Sequence, residues 1–429
     1  MSDAIQEKET PEKELYDYQL KDLEAVFSVM DRTSEDYNLL YQLPTGGGKT
    51  VIFSEIVRNY IKRANKKVVI LTHRIELSNQ TSRMLTEFMV PNMIISSDVK
   101  TLEEGDDYMC YVAMVETLTN RLQEEQMNMD DVGLVIIDEA HYNSFRKLFS
   151  YFDKAFILGV TATPLSSNIK LPMKDNYSEL LIGESIPALI KRGFLSKAKT
   201  ISYNVGLSSL KLGINGDYTV KSSDILYTDT IMQQKLLSAY EDQSKGKKTL
   251  IFNNGINTSR YVYETFKMAG YDIRHLDNTN SAKERTEILD WFKNTPDAIL
   301  TSVSILTTGF DEPTVDTIIL NRATKSLTLY FQMIGRGSRI APGKTTFKVL
   351  DLGNNAARFG LWEAPIDWKE IFAYPDFYLE NLIADEEIER NFTYVMPPDL
   401  RKEFANTKNV YFDIKKEYKR VIKEGLKAK

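Results

Sequence analysis

Eight short runs rich in Val, Ile and Leu, set apart by stretches of helical period, constrain this chain more than any other feature. They fall at 39–42, 68–71, 134–137 and 156–160, then at 250–252, 298–303, 317–320 and 347–350. Each is strand-length and does not alternate, as expected where helices cover both faces of a sheet. Helix-like patterns occupy 55–63, 76–88, 259–269 and 282–293. Strands alternating with helices imply parallel, right-handed βαβ units. The runs form two groups, separated by roughly 165–244, where the rhythm stops. The expected fold is therefore α/β, with two tandem lobes of parallel sheet flanked by helices and a small C-terminal extension. The expected divisions are an acidic, disordered N-terminus at 1–14, a first lobe at 15–165 and a connecting segment at 166–224. A second lobe at 225–358 and the extension at 359–429 complete the chain. Within the connection, Asn215-Gly216 signals a type I′ hairpin. The aromatics Trp362, Trp368, Phe372 and Tyr374 are expected to pack onto the second lobe rather than to stack on bases.

At 429 residues there is enough chain for about three domain-sized cores. No apolar run approaches the ~18–20 residues of a membrane span, and the polar, acidic start does not resemble a secretory signal. Cys110 is the single cysteine, which excludes an internal disulfide and a thiolate zinc site. A cytoplasmic protein without membrane partners is expected. The net charge of −6 argues against a chain basic over its whole surface, but leaves room for a local basic track. Lys245, Lys247 and Lys248 cluster before a strand, and ten Lys/Arg face four Asp/Glu between Arg401 and Lys429.

Two stretches carry the chemistry. Pro44-Thr45-Gly46-Gly47-Gly48-Lys49-Thr50 lies between a strand and a helix. Consecutive glycines let backbone N–H groups turn inward, and the helix N-terminus favours phosphate. Lys49 would neutralise β/γ-phosphate charge, and the Thr50 hydroxyl would bind Mg²⁺. Upstream, Tyr18-Gln19 offers an amide able to read an adenine edge. Asp138-Glu139-Ala140-His141 follows a strand: Asp138 suits Mg²⁺, and Glu139 suits activation of water. Thr161 and Thr163 end the next strand, where they can bond to the loop bearing His141 and link nucleotide state to lobe position. In the second lobe Gly309 permits close backbone approach, and Asp311 can reach the ribose hydroxyls or the catalytic water network. Gln332, Arg336 and Arg339 follow, the two arginines expected on one face of a helix and aimed across a cleft. Such an arginine can be worth ~10³–10⁵ in rate. Arg74 and Thr117 are candidates for gripping a nucleic-acid backbone; His73 reads better as a partly buried imidazole.

Taken in order, these residues resemble a superfamily 2 helicase of the DEAH type. Motif I resembles Leu43–Thr50, motif Ia Thr72–Gln80, motif II Asp138–His141, motif III Thr161–Thr163, motif V Thr307–Asp311 and motif VI Gln332–Arg339. The likeness covers about 15–355. Leu306–Pro313, Ala341–Lys344, Leu350–Asn354 and Pro187–Leu195 are similar to the bacterial RadD group and related phage-encoded DNA helicases. The resemblance implies two RecA-like lobes, ATP and Mg²⁺, and a nucleic acid, DNA in preference to RNA, contacted by Arg74, Thr117 and Thr307. It also implies an ATP-dependent helicase or translocase active in DNA repair, recombination or replication. RNA-directed action, or an ATP-gated subunit of a defence complex, are the alternatives. Three departures stand out. The RadD zinc cysteines are missing, Tyr16-Asp17 stands where Arg-Pro usually precedes Tyr-Gln, and few residues follow Phe359 compared with RNA-remodelling DEAH proteins.

Overall fold

Burial of apolar strands between helices organises two units, each with its own parallel sheet. The computed structural model describes residues 14–34, 36–99, 108–125, 127, 129, 131–168, 170–303, 306, 310–385, 387 and 388. The N-terminal stretch expected to be disordered (Glu14 apart), the basic stretch Arg401–Lys429, Thr307 and Gly309 lie outside them.

The first unit contains the described residues up to Ser185 together with Asp367–Asp376. Its strands are β1 (Asn38–Gln42), β2 (Lys67–Thr72), β3 (Met93–Ile95), β4 (Cys110–Met114), β5 (Val132–Asp138), β6 (Phe156–Thr161) and β7 (Glu179–Ile182). They form one sheet in the order β3-β4-β2-β5-β6-β1-β7, with every pairing parallel. Every residue of β5 is buried, as the non-alternating run requires of an interior strand. Helices α1 (Asp17–Arg32), α2 (Lys49–Ala64), α3 (Ile75–Glu87) and α4 (Val115–Gln123) cover the faces. Helix α2 buries Ile52, Phe53, Ile56 and Val57, an i, i+4 stripe in which each side chain contributes about 1.5–3 kcal/mol. No described helix is long and apolar enough to cross a membrane.

The second unit contains Ile186–Ile366 and the described residues from Phe377. It runs α5 (Ile186–Lys191), β8 (Lys197–Ser202), α6 (Val220–Tyr227), α7 (Thr230–Ser244), β9 (Thr249–Asn253), α8 (Ile256–Met268), β10 (Ile273–Leu276) and α9 (Ala282–Asn294). Next come β11 (Ile299–Ser302), β12 (Thr317–Asn321), α10 (Leu327–Gly335), β13 (Thr346–Asp351) and α11 (Asn355–Phe359). The sheet order is β10-β11-β9-β12-β13-β8, again all parallel. Both units are thus parallel-sheet α/β layers of RecA-like design.

Three local expectations change. The stretch 166–224 is not without strands: β7 pairs with β1, and β8 pairs with β13. Both are edge strands, and β8 alternates exposed lysines with buried residues, which hid it among the apolar runs. The hairpin at 212–218 forms, with Leu212 bridged to Tyr218, but not through a type I′ turn. Gly213 accepts from Gly216 N–H at 3.1 Å, and Gly216 alone in the turn has positive φ, 76°. A I′ turn needs positive φ at two successive central residues. Trp362 does pack in the second unit, edge-on to Phe347 at 6.0 Å. Trp368, however, begins α12 (Trp368–Ala373), which belongs to the first unit. There Phe372 joins the apolar core, and Ala373 O accepts from Lys174 Nζ at 2.6 Å.

Candidate functional site

In the first unit the strand ends converge because parallel register aligns them. Gln42 lies opposite Thr161, and Asp138 opposite Val160. The loop from β1 to α2 is shaped by its glycines, through positive φ at two of them and close packing at two. Gly46 and Gly48 take φ of 85° and 86°, the left-handed region open to glycine at little cost. A Cβ on Gly47 would come within 2.9 Å of the Leu43 side chain, and one on Gly48 within 2.4 Å of Gln19 Nε2. Tyr18 Oη donates to Gly47 O at 2.8 Å, while Gln19 Oε1 accepts from Tyr16 N–H at 2.9 Å. Tyr18 and Gln19 are therefore set against the loop. Lys49 Nζ lies back across it, 3.4 Å from Leu43 O. The Thr45 hydroxyl is buried with no partner, as fits a cradle that a phosphate oxygen would complete.

At the end of β5 Asp138 accepts the Glu139 N–H at 3.0 Å. Burial, with the charge of Glu139 second, pushes its carboxyl up to about 7, while Lys49 and that N–H oppose the shift. A buried carboxyl short of positive charge suits a divalent cation. Among the described residues no group of three or more His, Cys, Asp or Glu could hold a metal alone. Thr50 and Asp138 would accordingly share a Mg²⁺ with the phosphates of a nucleotide.

Glu139 adopts φ of 53°, a strained choice for a residue with a side chain, costing about 1–3 kcal/mol. Its Oε2 lies 3.4 Å from His141 Nδ1, and that nitrogen lies 3.0 Å from Thr161 Oγ1. Thr161 Oγ1 is also 3.1 Å from Thr163 O and 3.2 Å from Thr163 N. Burial holds the His141 imidazole down to about 4 despite the Glu139 charge, so the ring is neutral near pH 7. Leu43 N–H donates to Thr161 O at 3.0 Å, and Gln42 Nε2 to Ala162 O at 3.0 Å. The segment 161–163 is thus bonded to the phosphate loop on one side and to His141 on the other.

Arg74 and Thr117 follow the C-terminal ends of adjacent strands because β2 pairs with β4, Thr72 opposite Met114. Each residue begins or lies in the first turn of the helix that follows its strand. His73 is held down to about 4, chiefly by burial. It stacks on Tyr142 at 4.1 Å, and Tyr142 stacks on His141 at 4.4 Å. Tyr142 was not among the sequence candidates. An aromatic residue directly after Asp-Glu-Ala-His was the available signal.

In the second unit the two arginines are not on a helix. Helix α10 ends at Gly335, with Arg336 as its C-cap and Arg339 beyond. Gly337 accounts for the tight exit: a Cβ there would fall 2.3 Å from the Phe347 ring. Both guanidiniums still converge, Arg336 Nη1 donating to Phe310 O at 2.6 Å and Arg339 Nη1 to the same oxygen at 3.1 Å. Arg339 also pairs with Asp311 at 2.8 Å. Gln332 is buried on α10, and its Nε2 has no partner.

A glycine-rich loop between strand and helix, with a carboxylate pair at the end of a parallel strand one removed in the same sheet, is the architecture of phosphate-loop nucleotide-binding proteins. Comparison with known proteins narrows the class. Residues 12–166 match the family described as Type III restriction enzyme, res subunit, and residues 230–341 match the Helicase conserved C-terminal domain. The candidate ATP-dependent helicase IRC3 of Saccharomyces cerevisiae is 31% identical over 378 residues, covering 82% of this chain and 53% of that protein. A 51.5 kDa protein of a Lactococcus phage is 27% identical over 338 residues, covering 78% of this chain and 69% of its own. The chain therefore spans only part of each relative's length, about half in the case of IRC3. Among solved structures, a fragment of a candidate HsdR subunit of a type I restriction enzyme from Vibrio vulnificus YJ016 shares the fold. Its TM-score is 0.62 at 22% identity, over 81% of this chain and 66% of that one. The chain belongs to the superfamily 2 helicases.

Proposed function

We propose that this chain is an ATP-hydrolysing motor that moves on, or remodels, DNA in repair, recombination or replication. The observation that carries the reading is the cluster beside the phosphate loop in which His141 Nδ1 lies 3.4 Å from Glu139 Oε2 and is hydrogen-bonded to Thr161 Oγ1 at 3.0 Å. Glu139 would orient and deprotonate the attacking water. Lys49 and the loop N–H groups would bind the phosphates, and Gln19 the base. Bound Mg²⁺, held by Thr50 and Asp138, would supply charge neutralisation at the phosphates. Arg336 and Arg339 would serve the transition state, with Gln332, Gly309 and Asp311 contributing to nucleotide contacts. His141, Thr161 and Thr163 would transmit the nucleotide state to the strand-gripping residues Arg74, Thr117 and Thr307.

The match of residues 12–166 to a restriction-enzyme family supports DNA over RNA. It also favours a second reading, an ATP-gated subunit of a larger restriction or defence assembly. Strand displacement by the purified chain alone would argue against that second reading. The central test is ATP turnover with matched single-stranded DNA and RNA. Lys49→Ala and Glu139→Gln are each expected to abolish turnover while circular dichroism and melting stay unchanged. Full turnover by either variant overturns the assignment, and stimulation by RNA alone overturns the DNA preference.

A further inference from the structure

The second unit has an open cavity of about 600 Å³ at the N-terminal ends of its strands. The C-terminal end of α7, the turn into β9 and the segment 341–348 line it. Lys199, Lys247, Lys344 and Lys348 lie along it.

The backbone register makes this arrangement unusual. Lys199 on β8 stands directly opposite Lys348 on β13, and like charges directly opposed across neighbouring strands destabilise a sheet. Edge-strand lysines often serve to block strand addition, which would account for Lys199. It does not account for Lys348, because β13 is an interior strand. Lys348 Nζ does bond to Gln243 O at the end of α7, yet Lys199 and Lys247 both press on its charge and hold its ammonium below the usual range, after burial. Lys344 donates to Pro313 O at 2.7 Å, and burial pushes it down to about 8.

Glu241, Asp242 and Asp316 also line the cavity and offset only part of this charge. Asp316 acts on Lys344, and Glu241 accepts from Tyr271 Oη at 2.9 Å. Among the described residues none of these four lysines has a carboxylate partner at ion-pair distance. An excess of ammoniums without ion-pair partners, Lys245 among those lining the cavity, spread along an open surface rather than focused by backbone N–H groups, suits a chain of phosphates better than one enclosed anion.

We propose that Lys199, Lys247 and Lys348 form an additional binding track for the phosphodiester backbone of nucleic acid on the second unit. The proposal rests on the nucleic-acid motor reading above. Its test is fluorescence anisotropy with a labelled single-stranded oligonucleotide, titrated between about 50 and 200 mM salt. The variant Lys199→Glu/Lys247→Glu is expected to bind on the order of tenfold more weakly at the low end. Its slope of log affinity against log salt should be shallower by about 1.4, or ~0.7 for each lost phosphate contact. Lys199→Arg/Lys247→Arg should retain both affinity and slope, and ATP turnover without nucleic acid should be the same in all three proteins. The matching reversal at exposed Lys267 and Lys283 should leave binding near wild type. Unchanged affinity and slope in the double reversal, or an equal loss in the Lys267/Lys283 control, would overturn the track. A wild-type protein that binds no oligonucleotide would instead overturn the motor reading.

Discussion

The two units build their candidate sites in opposite ways. In the first, the site is made by the backbone: two left-handed glycines, a third whose missing Cβ admits Leu43, and a strand end that accepts its own next N–H. In the second, it is made by two long side chains that converge on one carbonyl, Phe310 O, and by an exposed partner, Asp311. A backbone site is committed once the strand–loop–helix forms. A side-chain site can exchange partners, since a partly exposed ion pair is worth only about 0–1 kcal/mol. The first unit therefore holds its loop through the backbone, while in the second Arg339 is held by a carbonyl and by a partly exposed carboxylate that it could exchange for a ligand.

The largest expected effect tests that second half. Arg339→Ala should lower kcat for ATP by about 10³ or more with little change in KM. Asp311→Asn should leave kcat within a few-fold of wild type, because it removes only a weak partner. Steady-state kinetics on both variants separate the two outcomes. If Asp311→Asn matches the loss in Arg339→Ala, the pair is part of the catalytic arrangement and the distinction between the units fails.

A smaller effect is expected from the cradle. Gly48→Ala meets both a φ of 86° and the Gln19 amide at 2.4 Å. Strain of about 1–3 kcal/mol translates to roughly ten- to hundredfold weaker nucleotide binding, measurable by calorimetry with a non-hydrolysable ATP analogue. Adding Gln19→Ala relieves the contact but not the φ, so binding should recover only in part. Full recovery would show that crowding alone, and not backbone geometry, fixes this loop.

The same division explains what was legible beforehand. The phosphate loop, the Asp138–His141 segment and the interior strands β5, β9 and β12 could be read because backbone sites and doubly covered strands leave local patterns. Edge strands could not: β8 carries Lys197 and Lys199 among its buried residues, and β3 has three residues. The pair Arg336 and Arg339 is expected on one helix face, and the structure places both past the last helical residue. The helix ends where Gly337 packs under Phe347, a tertiary contact with no local signature. For Tyr142 the position directly after His141 is a local signal, but its ring contact with the distant His73 is not.

The smallest expected effect concerns the cost of the preformed cradle when empty. The Asp138 carboxyl is raised from 3.8 to about 7, chiefly by burial. Between those values the folded chain holds a proton that the unfolded chain releases. The contribution of this group to stability therefore falls as pH rises through the window and is flat above it. Asp138→Asn has no charge to bury, so without nucleotide it should melt a few degrees higher than wild type near pH 8 and no higher near pH 4. Adding ATP with Mg²⁺ should raise the melting temperature of the wild type more than that of the variant. Differential scanning fluorimetry across pH reads all three comparisons. A variant less stable than wild type at pH 8 without ligand would mean that the accepted Glu139 N–H outweighs desolvation, and that the first unit does not carry its site at a standing cost.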